Sequence, residues 1–327
     1  MKSQYARFLA VPLAIICLLI LAAPESSARP ALRPLPEHLA AAQSTSAFSS
    51  TVYLPLVFKP PTWIAFTSTR DAGTLEIYRI ASDGTSPTRL TFNDAADSAP
   101  AWSPDNKKIA FQSYRNYLGN YYQEIYVMNA DGSGEVQLTT QSGSLEPTWS
   151  SDGTKIAFAS IRNNGNFDIW VMNADGSAQT QLTNTPLNEG SPAWSPDGTK
   201  IAYNLATVFP YDSNELYVMN ADGSGQMPLY SSSWPCGNNY RPAWSPDGTK
   251  IAYMCAGQIY VLTTDGSTNI NLTAGYDPTW SPDGTKIAYS LYLDASTEEI
   301  YTINIDDFEK TRLTYFSAFS LDPAWAH

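Results

Sequence analysis

Histidine is almost missing from this 327-residue chain, which has only His38 and His327. A Ser-His-Asp triad needs an imidazole within hydrogen-bond reach of its nucleophile, and neither position offers one inside the repeated body of the sequence. Zinc or manganese held by histidines is excluded on the same ground. No Gly-x-Ser-x-Gly elbow occurs, and strings such as Gly132-Ser133-Gly134 read as turns. Cysteine is scarce, at 3 residues, and charge is low, at 15%. The 19 basic residues stand against 31 acidic ones, a net charge of −12. Nucleic-acid binding rests on Lys and Arg neutralising phosphates, so that partner is excluded. The longest apolar run, Phe8–Ala23, contains Pro12 and falls short of the ~20 residues that span a bilayer. With Lys2 and Arg7 ahead of it and Ser26-Ser27-Ala28 behind, it reads as a secretory signal over residues 1–28. Its removal leaves no membrane span and an extracytoplasmic protein.

What the chain has in quantity is repetition. Pro192-Ala193-Trp194-Ser195-Pro196-Asp197-Gly198-Thr199-Lys200-Ile201-Ala202-Tyr203 recurs in near copies from Pro100, Pro147, Pro242 and Pro278, and a fragment ends the chain at Pro323-Ala324-Trp325. Trp102, Trp149, Trp194, Trp244, Trp280 and Trp325 are 47, 45, 50, 36 and 45 residues apart. A propeller blade of four short strands takes roughly 40–50 residues. Each copy reads as strand, turn, strand, with Ser-Pro-Asp-Gly supplying the turn. Pro presets φ, Asp tolerates the bridge region and Gly takes positive φ. The copy from Pro100, in the second blade, ends its turn in Asn106, the next-best residue for a left-handed conformation.

A second motif follows in each unit. Glu124-Ile125-Tyr126-Val127-Met128-Asn129-Ala130-Asp131-Gly132 returns as Asp168–Gly176 and Glu215–Gly223, with Asp-Gly as a hairpin signal. In the fifth unit, Ala256-Gly257 is the whole second connection; in the sixth, Asp306-Asp307 requires a different turn. The first unit starts at Trp63-Ile64-Ala65-Phe66 without an inner strand, and the last offers only Asp322-Pro323-Ala324-Trp325. These fragments complement each other. The fold class expected is all-β: a six-bladed β-propeller of four-stranded antiparallel blades over 63–327, closed by pairing the C-terminal strand with the N-terminal blade. Residues 29–62 read as a Pro/Ala/Ser-rich linker. The six tryptophans are expected to pack between blades.

Pro-Ala-Trp-Ser-Pro-Asp-Gly-Thr-Lys-Ile-Ala-Phe followed by Ile-Tyr-Val-Met-Asn-Ala-Asp-Gly-Ser resembles the propeller repeats of the TolB family, over residues 63–327. The resemblance implies six blades with the Pro-Ala-Trp strand innermost, an extracytoplasmic location and protein–protein binding. TolB carries an α/β domain ahead of its propeller, and Arg29–Thr62 is too short to supply one.

Two surfaces are candidates for function. The residues before each inner-strand proline are Ala99, Glu146, Ser191, Arg241, Asp277 and Asp322, which ring geometry gathers at one mouth of the central channel. The plain reading is a solvated polar rim. Paired carboxylates there could instead serve a polysaccharide-active enzyme, a glycosidase or lyase. Oxygen ligands of this kind also suit Ca²⁺, but no Asp-x-Asp-x-Asp-Gly loop occurs, so neither metal nor cofactor is expected. Lys108, Lys155, Lys200, Lys250 and Lys286 recur near the turns, where neighbouring aspartates offset them.

The second candidate is the end of the blades opposite the repeated turns. Length variation falls there, in Ser113–Gln123, Ile161–Phe167, Asn204–Asn214, Ser231–Arg241 and Tyr315–Leu321, together with surplus aromatics. Tyr117, Tyr121, Tyr211, Trp234 and Tyr240 are the expected contacts with a protein, peptide or glycan. The function expected is thus a monomeric, secreted, non-catalytic binding scaffold. Cys236 and Cys255 fall at one end of the fifth blade, and a disulfide between them is expected after export.

Overall fold

In the computed structural model the chain divides into two units, Met1–Val57 and Phe58–His327. The structure describes residues 62–327, apart from 72, 116–121, 141–142, 164, 208–212 and 231–240. These residues form six four-stranded antiparallel sheets and no helix. The blades are numbered by their second strands. Blade one joins the chain's last strand, Ser320–Trp325, to Trp63–Ser68, Glu76–Ala81 and Thr88–Arg89. Ile64 pairs with Trp325 and Ser68 with Ser320, so the expected closure of the ring is observed. Blade two runs from Asp97–Trp102 to Val136–Gln137, blade three from Ser144–Trp149 to Thr180–Gln181, and blade four from Asn188–Trp194 to Met227–Tyr230. Blade five runs from Ala243–Trp244 to Asn269–Ala274, and blade six from Tyr276–Trp280 to Lys310–Arg312.

The core lies between blades, in six hydrophobic clusters that each belong to one junction. Ile77 and Leu90 of blade one meet Trp102, Ile109 and Phe111 of blade two, for example. Period-2 alternation makes this possible, because a blade's two faces each fill one junction. Trp102, Trp149, Trp280 and Trp325 are buried, while Trp194 and Trp244 are partly so. The indoles also tie blades together. Trp149, Trp244 and Trp280 donate Nε1–H to the carbonyls of Ala101, Ala193 and Ala243 in the preceding blade at 3.0–3.1 Å.

The Ser-x-Asp turns are built alike. In five blades the serine hydroxyl donates to the aspartate, and the lysine N–H donates back to that hydroxyl at 2.9 Å. The serine hydroxyl is the chief reason Asp105 is held down to about 2. Asn106 takes φ 57° where the other turns have glycine at 70°. It has a further task, since its amide oxygen accepts the N–H of His327 at 2.8 Å and its amide donates to the His327 carbonyl.

Three expectations need correction. The connection expected at Asn204–Asn214 is partly strand, because Lys200–Thr207 and Ser213–Asn220 extend the hairpin of blade four. Blade six carries a long hairpin too, Lys286–Asp294 with Thr297–Asn304, which repeat counting did not mark as variable. The pre-proline residues are not simply strand ends. In the five blades other than blade five they sit at a bulge within the inner strand, where the pairing register shifts.

Candidate functional site

Ala99, Glu146, Ser191, Asp277 and Asp322 all have φ between 48° and 56°. A non-glycine residue in that region is strained by its Cβ. The same strain at the same step of five blades marks it as part of the repeat, and the extra residue of each bulge re-aims its side chain. All six pre-proline positions, Arg241 included, line one cavity of about 500 Å³ along the ring axis. The prolines and tryptophans form its wall, with His327 also in the lining, and the His327 backbone is bonded to Asn106 of a turn. Burial lowers the basicity of the His327 imidazole.

The ring of six is not uniform. Arg241 reaches across to two other blades: its Nε lies 3.1 Å from Asp277 Oδ1, and its Nη1 bonds Asp322 Oδ1. Asp322 Oδ2 also accepts the Thr67 hydroxyl at 3.2 Å. Arg241 must serve both carboxylates, so burial together with the Asp322 charge outweighs it at Asp277, which is pushed up to about 6. The two acids in turn raise Arg241 above the usual guanidinium range. Glu146 is held differently: its Oε2 accepts the Ser191 N–H at 2.6 Å, and its own N–H donates to Gln112 Oε1 at 2.8 Å.

Blade six adds groups that the sequence did not single out. Glu298 is buried, accepts the Ser290 hydroxyl at 2.6 Å and is pushed up to about 7, chiefly by burial. Tyr276, one residue before Asp277, packs edge-on against Tyr292 with ring centroids 5.2 Å apart. Tyr292 is half exposed on the extended hairpin, next to exposed Leu293. The signal for this wall was the run Ser290-Leu291-Tyr292-Leu293, which continues the strand alternation past the length of the other blades. Elsewhere on the loop end, Phe92 and Tyr315 are 75% and 68% exposed, each beneath an arginine, Arg89 and Arg312.

Of the aromatic contacts expected from sequence, Tyr117, Tyr121, Tyr211, Trp234 and Tyr240 all lie outside the described residues. So does Cys236; Cys255, at the end of its strand, is disulfide-bonded. Among the described residues no three His, Cys, Asp or Glu side chains are grouped to hold a metal ion, and no helix is long and apolar enough to cross a membrane.

Six four-stranded blades, a ring closed by the two ends of the described chain and an axial cavity lined by the innermost strands define a closed β-propeller. The profile of the TolB beta propeller domain matches residues 38–229, more than half of the sequence, and the chain belongs to that family. A Tol-Pal system protein TolB from Desulfosudis oleivorans is 48% identical over 52 residues, which cover 16% of this chain and 12% of that protein. The corresponding protein of Hahella chejuensis is 33% identical over 85 residues, 25% of this chain and 19% of its own length. The crystal structure of TolB from Acinetobacter baumannii superposes with a TM-score of 0.69 at 21% identity, over 81% of this chain and 66% of that one. The matched stretches therefore span less than a fifth of the two curated relatives, and the structural likeness establishes the fold alone.

Proposed function

We propose that this propeller is a non-catalytic, extracytoplasmic scaffold that binds a protein or peptide at the loop end of its channel. The observation that carries this reading is the position of Arg241 between Asp277 and Asp322. Glycoside hydrolysis needs one carboxyl free to give a proton and a second free to attack or to activate water. Here a guanidinium occupies the space between the two acids. The polysaccharide-active alternative therefore has less support than binding.

The Tyr276–Tyr292 pair, Leu293 and the polar mouth form an amphipathic rim, apolar at one side and charged at the other, of the kind that protein contacts use. Tyr117, Tyr211 and Trp234, which lie outside the described residues, are proposed to contribute to the same surface. The names of the matched relatives, which are Tol-Pal system proteins, agree with a role among other proteins, and the extracytoplasmic location that the family resemblance implies agrees with the N-terminal signal read from the sequence. The test is capture of partners from the native extracytoplasmic fraction on immobilised protein, comparing wild type with Tyr276→Ala/Tyr292→Ala. The double variant should lose the captured species while its melting temperature holds. Retained capture would remove the loop end as the binding surface.

A further inference from the structure

Buried carboxylates recur at several blade junctions beneath the loop end, and the junctions meet them with different partners. Between blades one and two, Glu76 is wholly buried, with Arg89 Nη2 at 2.6 Å and the Thr91 hydroxyl at 2.6 Å. Asp97, on the next inner strand, is wholly buried as well; it receives the Asn93 amide at 2.6 Å and Arg115 Nη2 at 3.2 Å. Two carboxylates are thus met by two guanidiniums. Burial, with Asp97 adding to it, still raises Glu76, while Thr91 and Arg89 pull it back.

Between blades three and four the same positions are Asp168 and Glu189, both buried. Gln181 stands where Arg89 stands and gives Asp168 Oδ2 a neutral donor at 2.9 Å. Glu189 receives only the hydroxyls of Thr185 and, at 3.4 Å, Thr183. Neither acid forms an ion pair with a described residue. Asp168 Oδ1 is buried with no hydrogen bond of normal geometry; besides Gln181, the groups that act on the Asp168 carboxyl as donors are the Glu189 carboxyl and the Thr185 N–H. The two carboxyls share a hydrogen bond. Two bare carboxylates in contact in a dry site repel each other, so one of them keeps its proton.

The other groups packed around the pair supply no cation. From blade four, Tyr203 faces Glu189, and its hydroxyl is raised by burial first and by Glu189 second. From blade three, Ser160 pairs with Asp168 across the strands. Arg162 is bonded to the hydroxyls of Ser160 and Ser144 and to Gln179, over the Phe158 and Trp170 rings. The carboxylate that acts on Arg162 is Glu124, of blade two.

We propose that the junction of blades three and four is a proton-holding joint, in which Asp168 and Glu189 stay seated together only while they share a proton. Rising pH therefore loosens the link between these blades from blade three. That link carries its attachments close by. The Ile169 N–H donates to Thr183 Oγ1 at 2.8 Å and the Glu189 N–H to the Phe167 carbonyl at 2.8 Å. Asn166 holds the carbonyls of Thr185 and Leu187 at 2.9 and 2.6 Å. Burial, then the Asp168 charge, pushes Glu189 up to about 7, with the Thr185 hydroxyl opposing. The sign follows: a carboxyl raised in the folded state favours folding while protonated, and that advantage is lost as pH rises toward 7. The proposal does not depend on what the loop end binds.

The test uses the whole protein and two readouts. Carbon-detected NMR follows the Glu189 carboxyl, which should titrate near neutrality. Amide exchange, corrected for intrinsic rates, compares Ile169 and Glu189 with the equivalent Ile77 and Asp97, which donate to Thr91 Oγ1 and the Leu75 carbonyl. Between pH 5 and 8, protection at Ile169 and Glu189 should fall by about tenfold or more relative to Ile77 and Asp97. Glu189→Gln, whose amide can donate to Asp168 at any pH, should abolish that fall. Gln181→Arg, which restores the cation of the first junction, should reduce it. Titration of Glu189 near the ordinary 4.5, or equal changes at both junctions, would overturn the proposal. The wild-type titration decides the matter even if neither variant folds.

Discussion

The two ends of the same strands are built by opposite rules. At the turn end, five blades use one hydrogen-bond set around one aspartate, with distances that agree to within a few tenths of an ångström. At the loop end, the pre-proline residue has a different chemistry and a different partner in almost every blade, from apolar Ala99 to Arg241 bridging two acids. Repetition at one end secures the ring whatever the other end does. The loop end can therefore carry strain, surplus charge and exposed aromatics without loss of the fold, which is how sites grafted on folds are tolerated.

The largest expected effect breaks the uniform end at its seam. Trp325 is 7% exposed, packs with Ile64, Phe66 and Leu313 and donates to Thr62 Oγ1 at 2.7 Å. Trp325→Ala should cost about 3–5 kcal/mol, read by denaturant unfolding. A loss below 1 kcal/mol would contradict a closed ring sealed at that strand.

Next is a glycine pair in equivalent turns. Gly132 has φ 88°, and a Cβ there would lie 2.6 Å from the Leu90 carbonyl of blade one; Gly266 has φ 73° with nothing within 4 Å. Gly266→Ala should cost about 1 kcal/mol, for conformation alone. Gly132→Ala should cost roughly 2–4 kcal/mol, since blade one must move as well. Equal losses would mean that the turns do not contact the neighbouring blade.

At the varied end, Arg241→Ala leaves Asp277 and Asp322 facing each other. The guanidinium is 33% exposed, so the loss should be about 2 kcal/mol rather than the ~3–5 of a fully enclosed pair. That loss should shrink as pH falls toward about 6, because without the Arg241 charge the Asp277 carboxyl takes its proton above that pH. In the same window Glu298→Gln should flatten the decline in wild-type stability between pH 4.5 and about 7, since the raised Glu298 favours folding only while protonated. Unfolding curves at pH 4, 6 and 8 would check both.

The smallest effect sharpens the comparison. Asn106→Gly restores the residue found in the other turns, yet should lower stability by about 1 kcal/mol by releasing His327. A gain in melting temperature would show that the clasp contributes nothing.

The tryptophan spacing, the complementary end fragments and the Asn106 turn let the ring be read from sequence, because each rests on local sterics or on counting. The bulges were hidden. Glu146, Ser191 and Asp277 carry no compositional mark of positive φ, and the strain is imposed by closing six inner strands around an axis. The hairpin extension at Asn204–Thr207 was read as loop because its surroundings are rich in Pro, Asp and Asn. The Asp168–Glu189 pair joins residues of two blades, and only the ring brings them face to face. Arg241 was placed on the mouth by its position before Pro242, but its two partners come from blades six and one, which no spacing could select.

Thr67 and Asp322, bonded across 255 residues of sequence, give the seam a consequence for how the molecule is made. A chain synthesised from its N-terminus makes three strands of its first blade early and receives their innermost partner last. Blade one is therefore the last to be completed, and an open strand edge waits on it throughout elongation. Until then the growing chain is an unlocked stack of blades, and the final strand commits it to a ring in a single step.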